Sequence, residues 1–152
     1  MRFKFQDHPD LAEPLGKLMI QKWLQSGNNV DLVTSVPLSS KRLRIRGYNQ
    51  AELLARVVAK GLNVPYRNLL KKKRETLEQS KLKREERLKN LIGVFQASSS
   101  QSLSGEKVLL VDDVLTTGAT ASECAKTLLS MGASSVYVLT LARGTGDQRA
   151  IS

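Results

Sequence analysis

Residues 108–120, VLLVDDVLTTGAT, constrain the fold of this chain more than any other stretch. Four apolar residues run straight into Asp112 and Asp113, and small hydroxylated residues follow. An apolar run of this kind reads as a buried strand, here Lys107 to Asp112. Beyond the hydroxylated loop, Ala121, Cys124, Ala125, Leu128 and Leu129 fall at i, i+3, i+4, i+7 and i+8, the spacing of one helix face, and Gly132 closes that helix. SSVYVLTLA, residues 134–142, is a second strand. Strand, helix and strand in succession make a βαβ unit with a right-handed crossover. The fold class is therefore α/β, with a mostly parallel central sheet flanked by helices.

The rest of the chain fits that frame. Residues 10–25 read as a helix, with Leu11, Leu15, Leu18, Met19 and Trp23 at helical spacing. VDLVTSVP (30–37) is a buried strand stopped by Pro37. LSSKRLRIRGY is a basic loop, and NQAELLARVVAKGL is a helix with Asn49 as N-cap and Gly61 near its end. A short extended piece spans Val64 to Leu70, and IGVF (92–95) returns to strand. We expect a single domain over 1–152, a flexible charged loop at about 71–91, and a disordered tail at 144–152.

Charge is unevenly placed. Residues 41–95 hold 16 of the 24 Lys and Arg but 5 of the 14 acids, so this part is +11 in a chain of net +10. A concentrated basic surface implies an anionic partner, either phosphate groups on a small molecule or a nucleic acid. The N-terminus lacks the apolar core of a signal peptide, and no apolar run reaches the length of a membrane span, so the expectation is a cytoplasmic protein. One cysteine (Cys124) and one histidine (His8) cannot assemble a zinc site of ordinary ligand count within one chain. Cys124 lies on the apolar face of a helix and reads as core; Trp23 does likewise, and His8 receives no role.

Open parallel sheets bind ligands at the C-terminal ends of their strands, where Asp112 and Asp113 sit. The loop that follows leads into a helix whose first-turn N–H groups favour a phosphate. Gly118 lets backbone approach an anion closely, and the threonine hydroxyls add donors. An acidic pair would repel that same phosphate, so the two features must address different parts of one ligand. Carboxylates accepting hydrogen bonds from vicinal hydroxyls, beside a phosphate cradle, describe a ribose 5-phosphate.

On these residues the stretch resembles the thirteen-residue phosphoribosyl pyrophosphate (PRPP) motif of the type I phosphoribosyltransferases. SVPLSSKRLRIRGYNQAELLA, RETLEQSKLKREERLKNLIGVF and VLLVDDVLTTGATASECAKTL, in that order, narrow the resemblance to the ComF/GntX family. The resemblance implies that Asp112 and Asp113, the catalytic pair, hold the ribose hydroxyls. Thr116, Thr117, Gly118, Ala119 and Thr120 would wrap the 5-phosphate. Leu38, Ser39 and Ser40 would form the pyrophosphate loop, with Lys41 and Arg42 adding charge. Arg74, Gln79, Arg87 and Asn90 would belong to a flexible loop closing over the pyrophosphate. The implied cofactor is Mg²⁺, held mainly by the ligand with Asp112 and Asp113 nearby rather than by direct protein ligands. Implied partners are PRPP and pyrophosphate, and a homodimer is compatible with the family.

The chain departs from the family pattern in three places. It has no cysteine-rich zinc ribbon of the kind that usually opens family members. Thr116 stands where some purine-specific relatives place an aspartate, so no general acid or base for an acceptor is visible. Little chain remains to build a hood over a base, since ten residues follow Ala142. Other readings of VLLVDD fail. A response-regulator receiver needs a further aspartate on a later strand, and only Glu123 and Asp147 follow. A Walker B strand needs a G-x-x-x-x-G-K-[ST] loop, which is absent. RGTGDQ has two of the three glycines of a dinucleotide loop and opens no helix. The functional expectation is an Mg²⁺-dependent, PRPP-binding phosphoribosyltransferase of ComF type with unidentified acceptor. The alternative is a non-catalytic competence protein that senses PRPP or binds single-stranded DNA, although residues 41–95 offer only Tyr48, Tyr66 and Phe95 for base stacking.

Overall fold

The computed structural model describes residues 9–73, 93–98, 102–114, 118–142 and 149–151. Strand β4 (Lys107–Val114) lies at the centre of a four-stranded sheet in the order β1-β4-β5-β6. β1 (Leu32–Ser35) and β5 (Ser135–Ala142) flank it, both parallel to it, in registers that pair Leu32 with Val108 and Val136 with Val108. The expected βαβ unit is present, with helix α4 (Ala119–Ser130) as its crossover. The tail is a correction. Residues expected to be disordered include Arg149–Ile151, which form β6 and pair antiparallel with Val136 to Val138 of β5. Pairing there satisfies backbone groups that a bare edge strand would leave open.

The sheet is covered on both faces. Val108 and Leu110 of β4 pack with Cys124, Ala125 and Leu128 of α4. Leu109 and Val111 face the opposite layer, with Met19 and Trp23 of α1 (Ala12–Gln25) and Leu54 and Val58 of α3 (Gln50–Leu62). Alternation along a strand thus places successive residues in two different cores, and Val108 to Val111 must all be apolar. Trp23 closes the second layer edge-on against Tyr137 of β5, ring centroids 5.4 Å apart. No helix among the described residues is long and apolar enough to cross a membrane.

Two further expectations change. Within the stretch read as a basic loop, Ser40–Arg46 is helix α2. Ser39 Oγ accepts from the Arg42 amide at 3.2 Å, and Gly47, at φ 84°, closes the helix by donating to Leu43 O at 2.7 Å. Caps at both ends and good helix formers between them outweigh the density of positive charge. The start of the stretch expected to be a flexible loop is also ordered. Leu70–Lys72 is β2, paired antiparallel with β3 (Phe95–Ala97), so Lys71 and Lys72 are strand. Arg74, Gln79, Arg87 and Asn90 lie outside the described residues, as do Thr116 and Thr117. α3 is capped by Asn49 as expected and ends at Asn63, whose φ of 59° is left-handed. The extended piece before β2 lies along the outer side of β1, where the Val33 amide donates to Pro65 O and the Arg67 amide to Val33 O.

Gly132 turns the chain from α4 into β5 at φ +117°, and a Cβ there would collide with the carbonyl oxygen of Leu103. That carbonyl cannot retreat freely, because the Leu103 amide donates to Met131 O at 2.7 Å and the Gly105 amide to Gly132 O at 2.9 Å. Gly132→Ala should therefore cost about 2–4 kcal/mol, the combined scale of left-handed strain and overpacking. The measurement is urea unfolding, where the midpoint should fall at unchanged slope.

Candidate functional site

The C-terminal ends of β1 and β4 lie side by side, with the Val36 amide donating to Val111 O at 3.0 Å. Asn49 fixes α3 against them. Its Oδ1 accepts from the Ala51 amide at 3.0 Å as the helix cap, while its Nδ2 donates to Val36 O at 3.1 Å. The first turn of α3 and the whole of α2 are thereby held over the strand ends. Between them opens a cleft of about 210 Å³. Asp112 and Asp113 line it together with Arg42, Arg46, Asn49 and Gln50. A second cavity of about 190 Å³ shares Pro37, Leu38 and Asn49 with the first and reaches Ser40, Asn68 and Lys71.

The acidic pair is bound into the backbone: the Asp113 amide donates to Asp112 Oδ1 at 2.9 Å. Burial pushes the Asp112 carboxyl well above the ordinary carboxylate range, and the neighbouring Asp113 carboxylate pushes it further. Cys124 of α4 lies fully buried; burial first, then the Asp112 charge, raises its thiol well above the usual value. A thiol so raised stays protonated and behaves as core, as its helical position suggested. Gly118, at φ 83°, precedes α4 in a left-handed conformation that a side chain would strain, and Ala119 and Thr120 open the helix half-buried.

A divalent cation fits this arrangement only as a shared guest. Among the described residues no group of three or more His, Cys, Asp or Glu is placed to hold a metal. Asp112 and Asp113 nevertheless put two carboxylates in one cleft, one of them desolvated and carrying a raised pKa that a cation would lower. The donor set suits a metal most of whose ligands come from a bound phosphate compound.

The structure sorts the residues expected to form a pyrophosphate loop. Leu38 and Arg42 line the main cleft, and Leu38 and Ser40 line the second cavity. Ser39 is buried as the α2 cap, and Lys41 is exposed on α2 and lines neither cavity. Arg46, Asn49 and Gln50 are cleft residues that the sequence reading did not assign. The signal for Arg46 was its i, i+4 spacing from Arg42, which has meaning only once α2 is known to be a helix.

Residues 49–152 match the family model described as phosphoribosyl transferase domain. The chain belongs to that family. It is 34% identical over 149 residues to "Competence protein F" of Haemophilus influenzae, covering 93% of this chain and 65% of that protein. It is 31% identical over 148 residues to "DNA utilization protein YhgH" of Escherichia coli K12, covering 93% and 64%. It is 38% identical over 113 residues to "Competence protein ComFC" of Bacillus subtilis, covering 74% and 44%. The chain thus spans slightly less than two thirds of the Haemophilus and Escherichia relatives. Among solved structures, the glutamine PRPP amidotransferase of B. subtilis, complexed with ADP and GMP, superposes with a TM-score of 0.60 at 22% identity, over 88% of this chain and 26% of that one. A hypothetical protein from Neisseria gonorrhoeae with bound ppGpp does so at 0.53 and 17%, over 86% and 66%. Those two likenesses show the fold, and the curated relatives carry competence and DNA-utilization names.

A raised Asp112 pKa means that the folded domain holds a proton there more tightly than the unfolded chain does. Stability from this group is therefore lost as pH rises from the ordinary value of 3.8 through the folded one. Asp112→Asn should melt at a higher temperature than the wild type at pH 8, and the gap should close as pH approaches 4. Thermal denaturation across that pH series is the check, and a gap independent of pH would contradict it.

Proposed function

We propose that this domain binds PRPP together with Mg²⁺ and transfers its phosphoribosyl group, with release of pyrophosphate. The observation that carries this reading is the polarity of the main cleft: two adjacent carboxylates, Asp112 and Asp113, share it with two guanidinium groups, Arg42 and Arg46. A ligand that fits both must offer hydroxyl donors at one place and negative charge at another, as a ribose bearing a pyrophosphate does. Asp112 and Asp113 accept hydrogen bonds from the vicinal ribose hydroxyls. The turn at Gly118, Ala119 and Thr120, with Thr116 and Thr117 before it, takes the 5-phosphate. Leu38 and Ser40 offer the loop, and Arg42 and Arg46 the charge, for the pyrophosphate.

Cleavage of the bond from the sugar to pyrophosphate leaves the electron pair on the departing oxygen and positive charge on the ring. Mg²⁺, when bound, offsets charge on that leaving group. The chain's own contribution is placement: carboxylates beside the cation-like sugar and guanidinium groups beside the anion. Among the described residues of the cleft, none nominates an acceptor.

Saturating PRPP with Mg²⁺, at about 100 times its Kd, should stabilise the protein by about 2.7 kcal/mol, a rise in Tm of roughly 5–10 °C. Asp112→Asn combined with Asp113→Asn should abolish the rise. Arg42→Ala should slow pyrophosphate release on the order of a hundredfold. An unchanged wild-type Tm would overturn the reading.

A second reading is single-stranded DNA binding. It is favoured by the surface of α2, where Leu43 and Ile45 are 43% and 74% exposed among Lys41, Arg44 and Arg46, and by the competence and DNA-utilization names of the relatives. If it holds, log affinity falls linearly with log salt. Replacing Lys71, Lys72 and Lys73 by Ala should then reduce that slope by about 2. Salt-independent binding would count against it.

A further inference from the structure

Tyr48, Asn49 and Gln50 lie together at the start of α3, and their polar atoms are used unequally. Both polar atoms of the Asn49 side chain are engaged, one as helix cap and one on Val36 O. Gln50 differs. It is 2% exposed and lines the cleft that holds Asp112, Asp113, Arg42 and Arg46, yet its Nε2 is buried without a hydrogen-bond partner among the described residues. Leaving a buried amide donor unpaired destabilises a protein, so native structures seldom do it. Packing alone does not account for a glutamine here, because methionine has nearly the same length and shape and no polar atom to desolvate. The position retains a donor that no described residue uses.

An Nε2 group can only donate, so what satisfies it must be an acceptor. The arginines already mark where negative charge belongs in this cleft. A neutral amide suits the buried wall beside them, since an unpaired cation would cost far more to desolvate in the empty site. Resting on the PRPP reading, we propose that Gln50 is a ligand-binding residue whose amide donates to an oxygen of the pyrophosphate group, on the side of the cleft built by α2 and α3. It thereby distinguishes a ribose 5-phosphate that carries pyrophosphate from one that does not.

The proposal gives Gln50→Met two effects of opposite sign, which a structural role would not produce. Without ligand the variant loses an unsatisfied donor and melts at a temperature equal to or above that of the wild type. With Mg²⁺ present, its Kd for PRPP rises tenfold or more, while its Kd for ribose 5-phosphate stays within about twofold. The measurements are thermal denaturation and isothermal titration on the whole chain with PRPP, ribose 5-phosphate and pyrophosphate. Gln50→Glu, which exchanges the donor for an anionic acceptor, is the second variant should Gln50→Met fold poorly; it weakens PRPP more than ribose 5-phosphate. Wild-type PRPP binding that either folded variant retains in full overturns the role of Gln50 and leaves the PRPP reading standing. Equal losses for PRPP and ribose 5-phosphate also overturn it. Absence of PRPP binding by the wild type overturns both.

Discussion

Everything in this domain depends on β4 being buried on both faces. A strand covered by α4 on one side and by α1 and α3 on the other has no position for a polar residue until the sheet ends. Polar chemistry is therefore confined to the strand's C-terminal end, where Asp112 and Asp113 emerge from the layers that hold Val108 to Val111. The hydrophobic effect fixes the strand, and the strand fixes the carboxylates to within the precision of a sheet register. A loop could not hold two like charges side by side so firmly.

The opposite wall is built by other means. α2 buries none of its residues, and the first turn of α3 turns Gln50 and Ala51 inward. Their position is set by hydrogen bonds: the Ser39 cap, the Gly47 stop, and above all the two bonds of Asn49. Asn49 joins a helix start to a strand end, and residues on either side of it inherit that placement. Gln50 is carried into the cleft by this link. Arg42 and Arg46 reach the same space because seven residues of helix set them one turn apart.

What could be read in the sequence follows this division. The apolar run of β4, the helical spacing of Ala121 to Leu129 and the strand after Gly132 are strong periodic signals produced by burial, and all three elements are present. The acidic pair was legible because a hydroxylated, glycine-containing loop of phosphate-binding type follows it at the right spacing, where a merely solvated strand end would need none. α2 was not legible, since Lys, Arg and a single turn of apolar residues look the same in a basic loop as in a short capped helix. Without α2, the spacing of Arg42 and Arg46 has no meaning, and the sequence does not separate Arg42 from Lys41, which is exposed and outside both cavities. Gln50 was hidden for a different reason. It is buried in the folded chain, whereas a glutamine in the first turn of a helix ordinarily faces water. β6 was missed because three residues give too little periodicity to mark a strand, and only the open edge of β5 makes them one.

The segment from Pro65 to Arg67 lies along β1, and its backbone engages both the N–H and the C=O of Val33. That edge of the sheet is thus closed by the chain itself. A partner arriving there finds no row of bare amides and carbonyls on which to lay an extended peptide, and the sheet cannot be lengthened by a copy of itself from that side. Recognition along this flank must be done by side chains, which can tell one partner from another, and not by main-chain pairing, which accepts almost any sequence.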